Sequence, residues 1–451
     1  MQTPFEITLP DYVSNALTAL EQGGYEAWCV GGCVRDALLD RTVNDYDIAT
    51  AAPWQETESL LDRAGFTVHR TGVKHGTVTA SCSEGVIEVT TYRVDGGYTD
   101  GRHPDEVRFA TNIEDDLARR DFTINALAYH PDRGLLDCWG GLDDLSAGLI
   151  RTVGDPGERF AEDGLRILRA CRFSSQLGFD LEEGTIGAMV SRKMRLSLIS
   201  SERITHELDL LLLGDHVHDA LMRTIDVLVA VMPEIAACKG FDQHTPYHIY
   251  DVWEHTAWVV QRAPKTRVGR WAALLHDIGK PGACFFEGQR AHFYGHAKLS
   301  VILAQSILGR MALSDSFRQD VITLVRLHDV QFAATPKSVR KALAKLDGNV
   351  PLFRELIGIK RADALAQSHL SEPRARLASE LEVALDEVLA SQAAFTVKQL
   401  AANGNDALAI GIPAGPSVGQ ALESALDAVM DERIPNEHDA IVAFMKTLDM
   451  K

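Results

Sequence analysis

The sequence predicts an α+β protein, with a mixed β-sheet at its N-terminal end followed by a mostly α-helical chain. Three observations predict it. Strand-like runs gather early, at Ala27-Trp28-Cys29-Val30, at Thr71 to Thr79 and at Val86 to Arg93, rich in β-branched residues or alternating apolar with polar. Beyond about residue 156, apolar residues recur at helical spacing, and from about residue 340 the chain is helical and alanine-rich. The 451 residues, 46% hydrophobic and 24% charged, suit roughly three globular folding units with sizeable cores.

The net charge of −18 argues against non-specific nucleic-acid affinity, but a local basic patch can still bind RNA. The seven cysteines are scattered and contain no Cys-X-X-Cys, so they read as reduced thiols with no thiolate zinc site. The first residues carry no basic and apolar leader pattern, and no apolar run is long enough to span a bilayer. A cytoplasmic protein with no membrane partner is expected.

In chain order, residues 11 to 22 form an amphipathic helix. The strand 27–30 ends at Gly31-Gly32, where the backbone turns tightly and approaches a phosphate, and a helix begins by Arg35-Asp36. Asp45 and Asp47 then lie two apart, on one face if the segment is a strand. Two parallel carboxylates beside a phosphate cradle call for a cation, and Mg²⁺ shared with triphosphate oxygens suits them, which is two-metal nucleotidyl transfer chemistry. Glu88, between Ile87 and Val89, is either an exposed strand residue or a third ligand; the upstream pair favours the ligand. Residues 95 to 104 are rich in glycine and charge and suit a loop that closes over a substrate or merely connects two elements. Arg119-Arg120-Asp121 precedes an apolar segment expected to be helical, and its arginines suit bidentate phosphate contact or a solvated ion pair.

Asp163, Arg166, Arg169 and Arg172 recur every three residues, predicting a polar stripe on one helix face. Such a stripe serves equally as a salt-bridged surface. Its functional reading is chemical. A carboxylate accepts from the exocyclic amine of cytosine or adenine while arginine donates to the adjacent ring nitrogen, so Asp163 and Arg166 fit C and A and mispair with U and G. A helix capped by Ser200 follows. Further on come His255, Leu274-Leu275-His276-Asp277-Ile278-Gly279-Lys280, His296, and His328-Asp329, a set of imidazoles and carboxylates suited to a divalent metal that activates water for phosphoester hydrolysis.

Gly31-Gly32-Cys33-Val34-Arg35-Asp36 with Asp45-Tyr46-Asp47, Glu88-Val89-Thr90-Thr91-Tyr92-Arg93, Arg119 to Leu127 and Glu162-Asp163-Gly164-Leu165-Arg166 together resemble the bacterial class II CCA-adding tRNA nucleotidyltransferases. The resemblance implies that Asp45 and Asp47 hold Mg²⁺, that Gly32, Arg35 and Arg120 contact the nucleotide triphosphate, and that Asp163 and Arg166 read the base with Arg169 and Arg172 assisting. It implies tRNA, CTP and ATP as partners. The histidine–aspartate set resembles the HD phosphohydrolase superfamily, with His255, His276, Asp277 and Asp329 as core ligands of a second divalent metal and His296 and His328 as additional candidates. The expected domains are a nucleotidyltransferase head at 1–155, a helical neck with the base-recognition helix at 156–240, an HD domain at 241–340 and a helical body or tail for tRNA at 341–451. CCA addition with accessory HD hydrolysis is therefore expected. A poly(A) polymerase, a C-only or A-only enzyme, and an HD phosphohydrolase with a nucleotide-sensing N-terminal domain are the alternatives.

Overall fold

The computed structural model describes residues 6–95 and 107–448, so the expected loop at 96–104 lies outside the described residues. The chain divides into two compact units, Met1–Pro233 and Glu234–Lys451.

The first unit begins with α1 (Asp11–Gln22), β1 (Ala27–Val30), α2 (Gly32–Leu38), β2 (Tyr46–Thr50), α3 (Trp54–Arg63), β3 (Thr67–Gly72), β4 (Thr77–Ser81) and β5 (Val86–Thr91). Next come the short pair β6 (Arg93–Asp95) and β7 (Val107–Phe109), then α4 (Ile113–Ala118), β8 (Leu127–His130) and β9 (Gly134–Asp137). Seven strands form one sheet in the order β3-β4-β5-β2-β1-β8-β9. Only β2 and β5 run parallel, so the sheet is mixed as expected. Both its faces are covered. Ala27, Cys29, Ile48, Ile87 and Val89 pack with α1 and α3 residues on one side, and Trp28, Val30 and Ala49 pack with Ile113 and Leu117 on the other. That double burial explains the uninterrupted apolar run in β1. By alternation, Asp47 points away from the Ile48 side, and the parallel register sets it opposite Glu88.

Helices α5 (Gly141–Ala147), α6 (Pro156–Glu162), α7 (Leu165–Leu177), α8 (Glu183–Arg192), α9 (Ser201–Leu212) and α10 (Val217–Leu228) complete this unit, with a small parallel pair β10 (Leu149–Ile150) and β11 (Asp180–Leu181). Two expectations change here. The segment after Arg120 is a 3-10 turn at Thr123–Asn125 leading into β8, not a helix, because Asp121 Oδ1 accepts from the Phe122 N–H and from Asn125 Nδ2 and so ties the chain into a turn. The helix expected to carry Asp163, Arg166, Arg169 and Arg172 on one face starts only after Asp163, which is extended (φ −135°, ψ 108°) and accepts the Leu165 N–H to start α7. Ser200 precedes α9 at the cap position, but its side chain makes no capping bond.

The second unit is helical: α11 (Val252–Arg262), α12 (Arg267–Leu275), α13 (Lys280–Ala283), α14 (His296–Arg310), α15 (Asp315–Leu327), α16 (Pro336–Ala344), α17 (Val350–Leu365), α18 (Glu372–Ala390), α19 (Gly404–Ala409), α20 (Pro416–Met430) and α21 (His438–Met445), with one hairpin, β12 (Phe285–Glu287) and β13 (Arg290–His292). Helix α17 packs on α11, α12, α15 and α18. No helix among the described residues is long and apolar enough to cross a membrane, and all seven cysteines are free.

Candidate active site

A cleft of about 340 Å³ in the first unit gathers most of the residues singled out from the sequence. Gly31, Gly32, Arg35, Asp45, Asp47, Arg120, Arg169 and Arg172 all line it. They come from the β1–α2 turn, the start of β2, the segment after α4 and the face of α7. Gly31 adopts φ +78°, and a Cβ there would lie 2.6 Å from Arg120 Nη1. The missing side chain thus admits the Arg120 guanidinium to the turn. Gly31→Ala is expected to destabilise the chain by about 1–3 kcal/mol through backbone strain and to raise the KM for nucleotide by displacing Arg120. Thermal unfolding and steady-state kinetics check both.

Asp47 sits in β2 and Asp45 one residue before the strand, with Glu88 across the parallel register from Asp47. Burial pushes the Asp47 carboxyl up; Arg120 opposes the shift, while Glu88 and Asp45 add to it. A buried carboxylate with two more beside it forms a site a divalent cation would relieve, and hard oxygen ligands suit Mg²⁺. The sign follows for stability. A carboxyl raised on folding contributes most below its unfolded value, and that contribution is lost as pH rises through the folded value. Asp47→Asn is therefore expected to raise the melting temperature of the metal-free chain at neutral pH by about 2 °C, the gap closing near pH 4. A pH series of melts without metal checks it.

Arg35 is 7% exposed, donates to Asn125 Oδ1 at 2.6 Å and pairs with Asp36 at 2.8 Å. Asn125 Nδ2 donates to Asp121 Oδ1 at 3.0 Å, and Asp121 Oδ2 accepts from Arg169 at 2.7 Å. Burial works against ionisation of Asp121, yet Arg169, Asn125 and Arg166 hold its carboxyl below the usual range. Arg35, Asn125, Asp121 and Arg169 thus form a continuous polar chain from the glycine turn to α7. From the sequence, Asp121 reads only as an ion-pair partner of its neighbours, and Asn125 carries no signal of its own. The Arg-Arg-Asp triplet was the available signal.

Three of the expected residues do not line this cleft. Glu88 stands beside Asp47 but outside the lining. Asp163 accepts from Arg203 at 2.9 Å, and Arg166 pairs with Glu162 at 2.5 Å and donates to the Arg119 carbonyl at 2.9 Å.

The second unit holds a separate cleft of about 270 Å³ around Asp277. The Nδ1 atoms of His255, His276, His296 and His328 each face a backbone carbonyl, of Ala366, Ala273, Phe293 and Val325, at 2.7–3.2 Å. That bond fixes the proton on Nδ1 and leaves the Nε2 lone pair free to ligate. Those Nε2 atoms converge on one carboxylate: His276 and His255 lie 3.1 and 3.4 Å from Asp277 Oδ2, His296 and His328 lie 3.4 and 3.6 Å from Oδ1. Two triads of metal-ligand geometry result, sharing Asp277. The Nε2 atoms of His296 and His328 are only 3.2 Å apart, and those of His255 and His276 are buried without a well-formed hydrogen bond. Lone pairs packed this way fit a bound cation. Asp329 is exposed on the rim and belongs to neither triad; the carboxylate facing His255, at 3.2 Å, is Asp363 on α17. Lys280 Nζ lies 2.6 Å from Asp277, and Arg374 lies 3.1 Å from Asp363.

Comparison with known proteins bears on the family and the fold. Family models match in chain order: the poly A polymerase head domain at residues 27–151, the RNA and SrmB-binding site of polymerase A at 178–239, the HD domain at 246–368 and tRNA nucleotidyltransferase domain 2 at 365–445. The head-domain match and the carboxylate–arginine cleft agree on the class, a nucleotidyltransferase that also carries an HD domain. The CCA-adding enzyme of Oceanobacillus iheyensis is 50% identical over 214 residues, 48% of this chain and 52% of that relative. That of Geobacillus kaustophilus is 34% identical over 450 residues, 99% of this chain and 97% of the relative. The crystal structure of the Bacillus stearothermophilus CCA-adding enzyme in complex with CTP superposes with a TM-score of 0.75 at 28% identity, covering 97% of this chain and 98% of that one. The chain belongs to the family of CCA-adding enzymes.

Proposed function

We propose that the 340 Å³ cleft is where this chain joins CMP and AMP from CTP and ATP to the 3′ end of tRNA, releasing pyrophosphate. One observation carries the assignment: the Asp45–Asp47 pair, the Gly31-Gly32 turn and four arginines line a single cleft in a chain related over its full length to CCA-adding enzymes. These relatives favour CCA addition over poly(A) synthesis and over a nucleotide-sensing role for the head.

Asp45 and Asp47, with Glu88 beside them, would hold Mg²⁺, which supplies Lewis acidity at the α-phosphate and offsets charge on the attacking and leaving oxygens. The turn at Gly31-Gly32 brings backbone N–H groups toward the triphosphate, and Arg35 and Arg120 neutralise it. Arg169 and Arg172 extend the cationic wall along α7. Asp163 and Arg166 supply the pairing that fits cytosine and adenine, and engaging a base there requires exchanging their present bonds to Arg203 and Glu162. Supplying each nucleotide alone to a tRNA ending at its discriminator base tests the selectivity. Pyrophosphate release with CTP and none with UTP or GTP is expected; equal release with UTP contradicts it. Asp163→Ala is expected to erode the C-over-U preference by about 10²-fold or more, measured as the ratio of kcat/KM values.

The second cleft supports a further activity. His255, His276, Asp277 and Asp363, with His296 and His328, would hold one or two divalent metals suited to activating water for phosphoester hydrolysis. Lys280 and Arg374 supply positive charge on the same wall for a phosphate. A cytoplasmic location fits this reading, because the tRNA and nucleotides it would use meet there.

A further inference from the structure

Phe173, on α7, is 5% exposed and forms part of the wall of the transferase cleft. Three guanidiniums pack against its ring: the Cζ atoms of Arg172, Arg35 and Arg169 lie 4.4, 5.0 and 5.5 Å from the centroid. They come from two elements, Arg35 from the helix after the glycine turn and the other two from α7 itself. Phe122 packs edge-on against the ring, 5.8 Å away at 85°, and fixes its plane.

Like charges this close in a half-buried site repel, and carboxylates compensate them unevenly. Arg35 has Asp36 and Arg169 has Asp121. Arg172 has Glu207, whose Oε2 lies 3.3 Å from its Nε without forming a well-aligned hydrogen bond. Burial pulls the Arg172 guanidinium down to about 10; Glu207 opposes this, and Arg169 and Arg35 reinforce it. Each guanidinium thus has one carboxylate, and Arg172 has the least well aligned of the three. Among the described residues, all three cations share the ring of Phe173, whose quadrupole attracts cations where an aliphatic side chain of similar size does not.

We propose that Phe173 is a positioning residue for nucleotide binding, gathering Arg35, Arg169 and Arg172 into one cluster so that the triphosphate side and the base side of the cleft are set together. The proposal rests on the nucleotidyl-transfer reading of this cleft. It differs from an ordinary core role in what it requires of the ring, since packing needs only volume whereas gathering cations needs the π face.

Three substitutions separate these. In Phe173→Leu, the KM for both CTP and ATP should rise about 10-fold with kcat changed less than about 3-fold, as expected for losing desolvated cation–π contacts that act on binding. Phe173→Met keeps the volume without the ring and should match it, which preserves the test if the leucine variant folds poorly. Phe173→Tyr should restore KM to within about 2-fold of the parent. Unchanged KM in the leucine and methionine variants, or a tyrosine variant no better than leucine at equal melting temperature, overturns the proposal. Calorimetric titration of CTP with Mg²⁺ on the same full-length proteins keeps the two readings apart. A parent chain that binds CTP yet adds nothing to tRNA defeats the transfer reading alone, and the Phe173 comparison is then decided by the same pattern in Kd.

Discussion

Asp47→Asn is expected to lower nucleotide addition to tRNA by at least about 10³-fold, the loss that follows from removing about 4 kcal/mol of transition-state stabilisation. The size follows from position. Asp47 is the carboxylate on which the local field converges, with Arg120, Glu88 and Asp45 all acting on it, and it is rigidly held in β2 between β1 and β5. An amide there keeps the shape and removes the charge that a divalent cation needs. Binding of tRNA should be nearly unchanged, because phosphate contacts made elsewhere carry it. Single-turnover addition to a tRNA ending in CC, with and without Mg²⁺, checks the rate, and a binding titration checks the affinity. Asp45→Ala should behave likewise, and loss of addition in these variants with retention in His276→Ala would assign transfer to the first cleft.

Asp277→Asn should abolish metal binding in the second unit, because both ligand triads use this carboxylate. It should also destabilise that unit by about 3–5 kcal/mol, the cost of leaving a buried charge without its partner. The charge in question is Lys280, 5% exposed and 2.6 Å from Asp277. Metal content after purification and urea unfolding measure the two effects. The hydrolysis proposed for the second cleft, read on a generic phosphomonoester, should disappear, while CCA addition persists at temperatures where the variant stays folded. The double substitution Asp277→Asn with Lys280→Met should recover part of the stability and none of the metal, which distinguishes the ion-pair contribution from the ligand contribution.

The parts of this architecture visible in the sequence are those governed by local rules. The run Ala27 to Val30 reads as a strand because β1 is buried on both faces, and Gly31 reads as a turn because its backbone has φ +78°. Histidines at helical positions beside aspartate were enough to anticipate that these side chains cluster. The misread elements are those where a side chain overrides local pattern. The apolar stretch from Phe122 to Leu127 reads as a helix, yet Asp121 accepts two nearby N–H groups and turns the chain toward β8. Asp163 falls on a three-residue repeat with Arg166, Arg169 and Arg172, yet it caps α7 from outside. Long-range partners were hidden altogether. Asp363 reaches His255 only because α17 folds back onto α11 and α12, and nothing near Asp363 in the chain announces that contact, whereas Asp329 stands beside a histidine in the sequence. Glu88 was legible as a candidate because it interrupts apolar neighbours, but its register with Asp47 depends on a parallel pairing between β2 and β5 that no local pattern encodes.

The central claim is that this chain builds CCA on tRNA and stops. Sequencing the 3′ ends of tRNA transcripts that end at the discriminator base, at C and at CC, after incubation with Mg²⁺, CTP and ATP, tests it most directly. All three substrates should converge on a terminal CCA with no further addition. Long A tails, addition of C or A alone, or no extension at all would contradict the account.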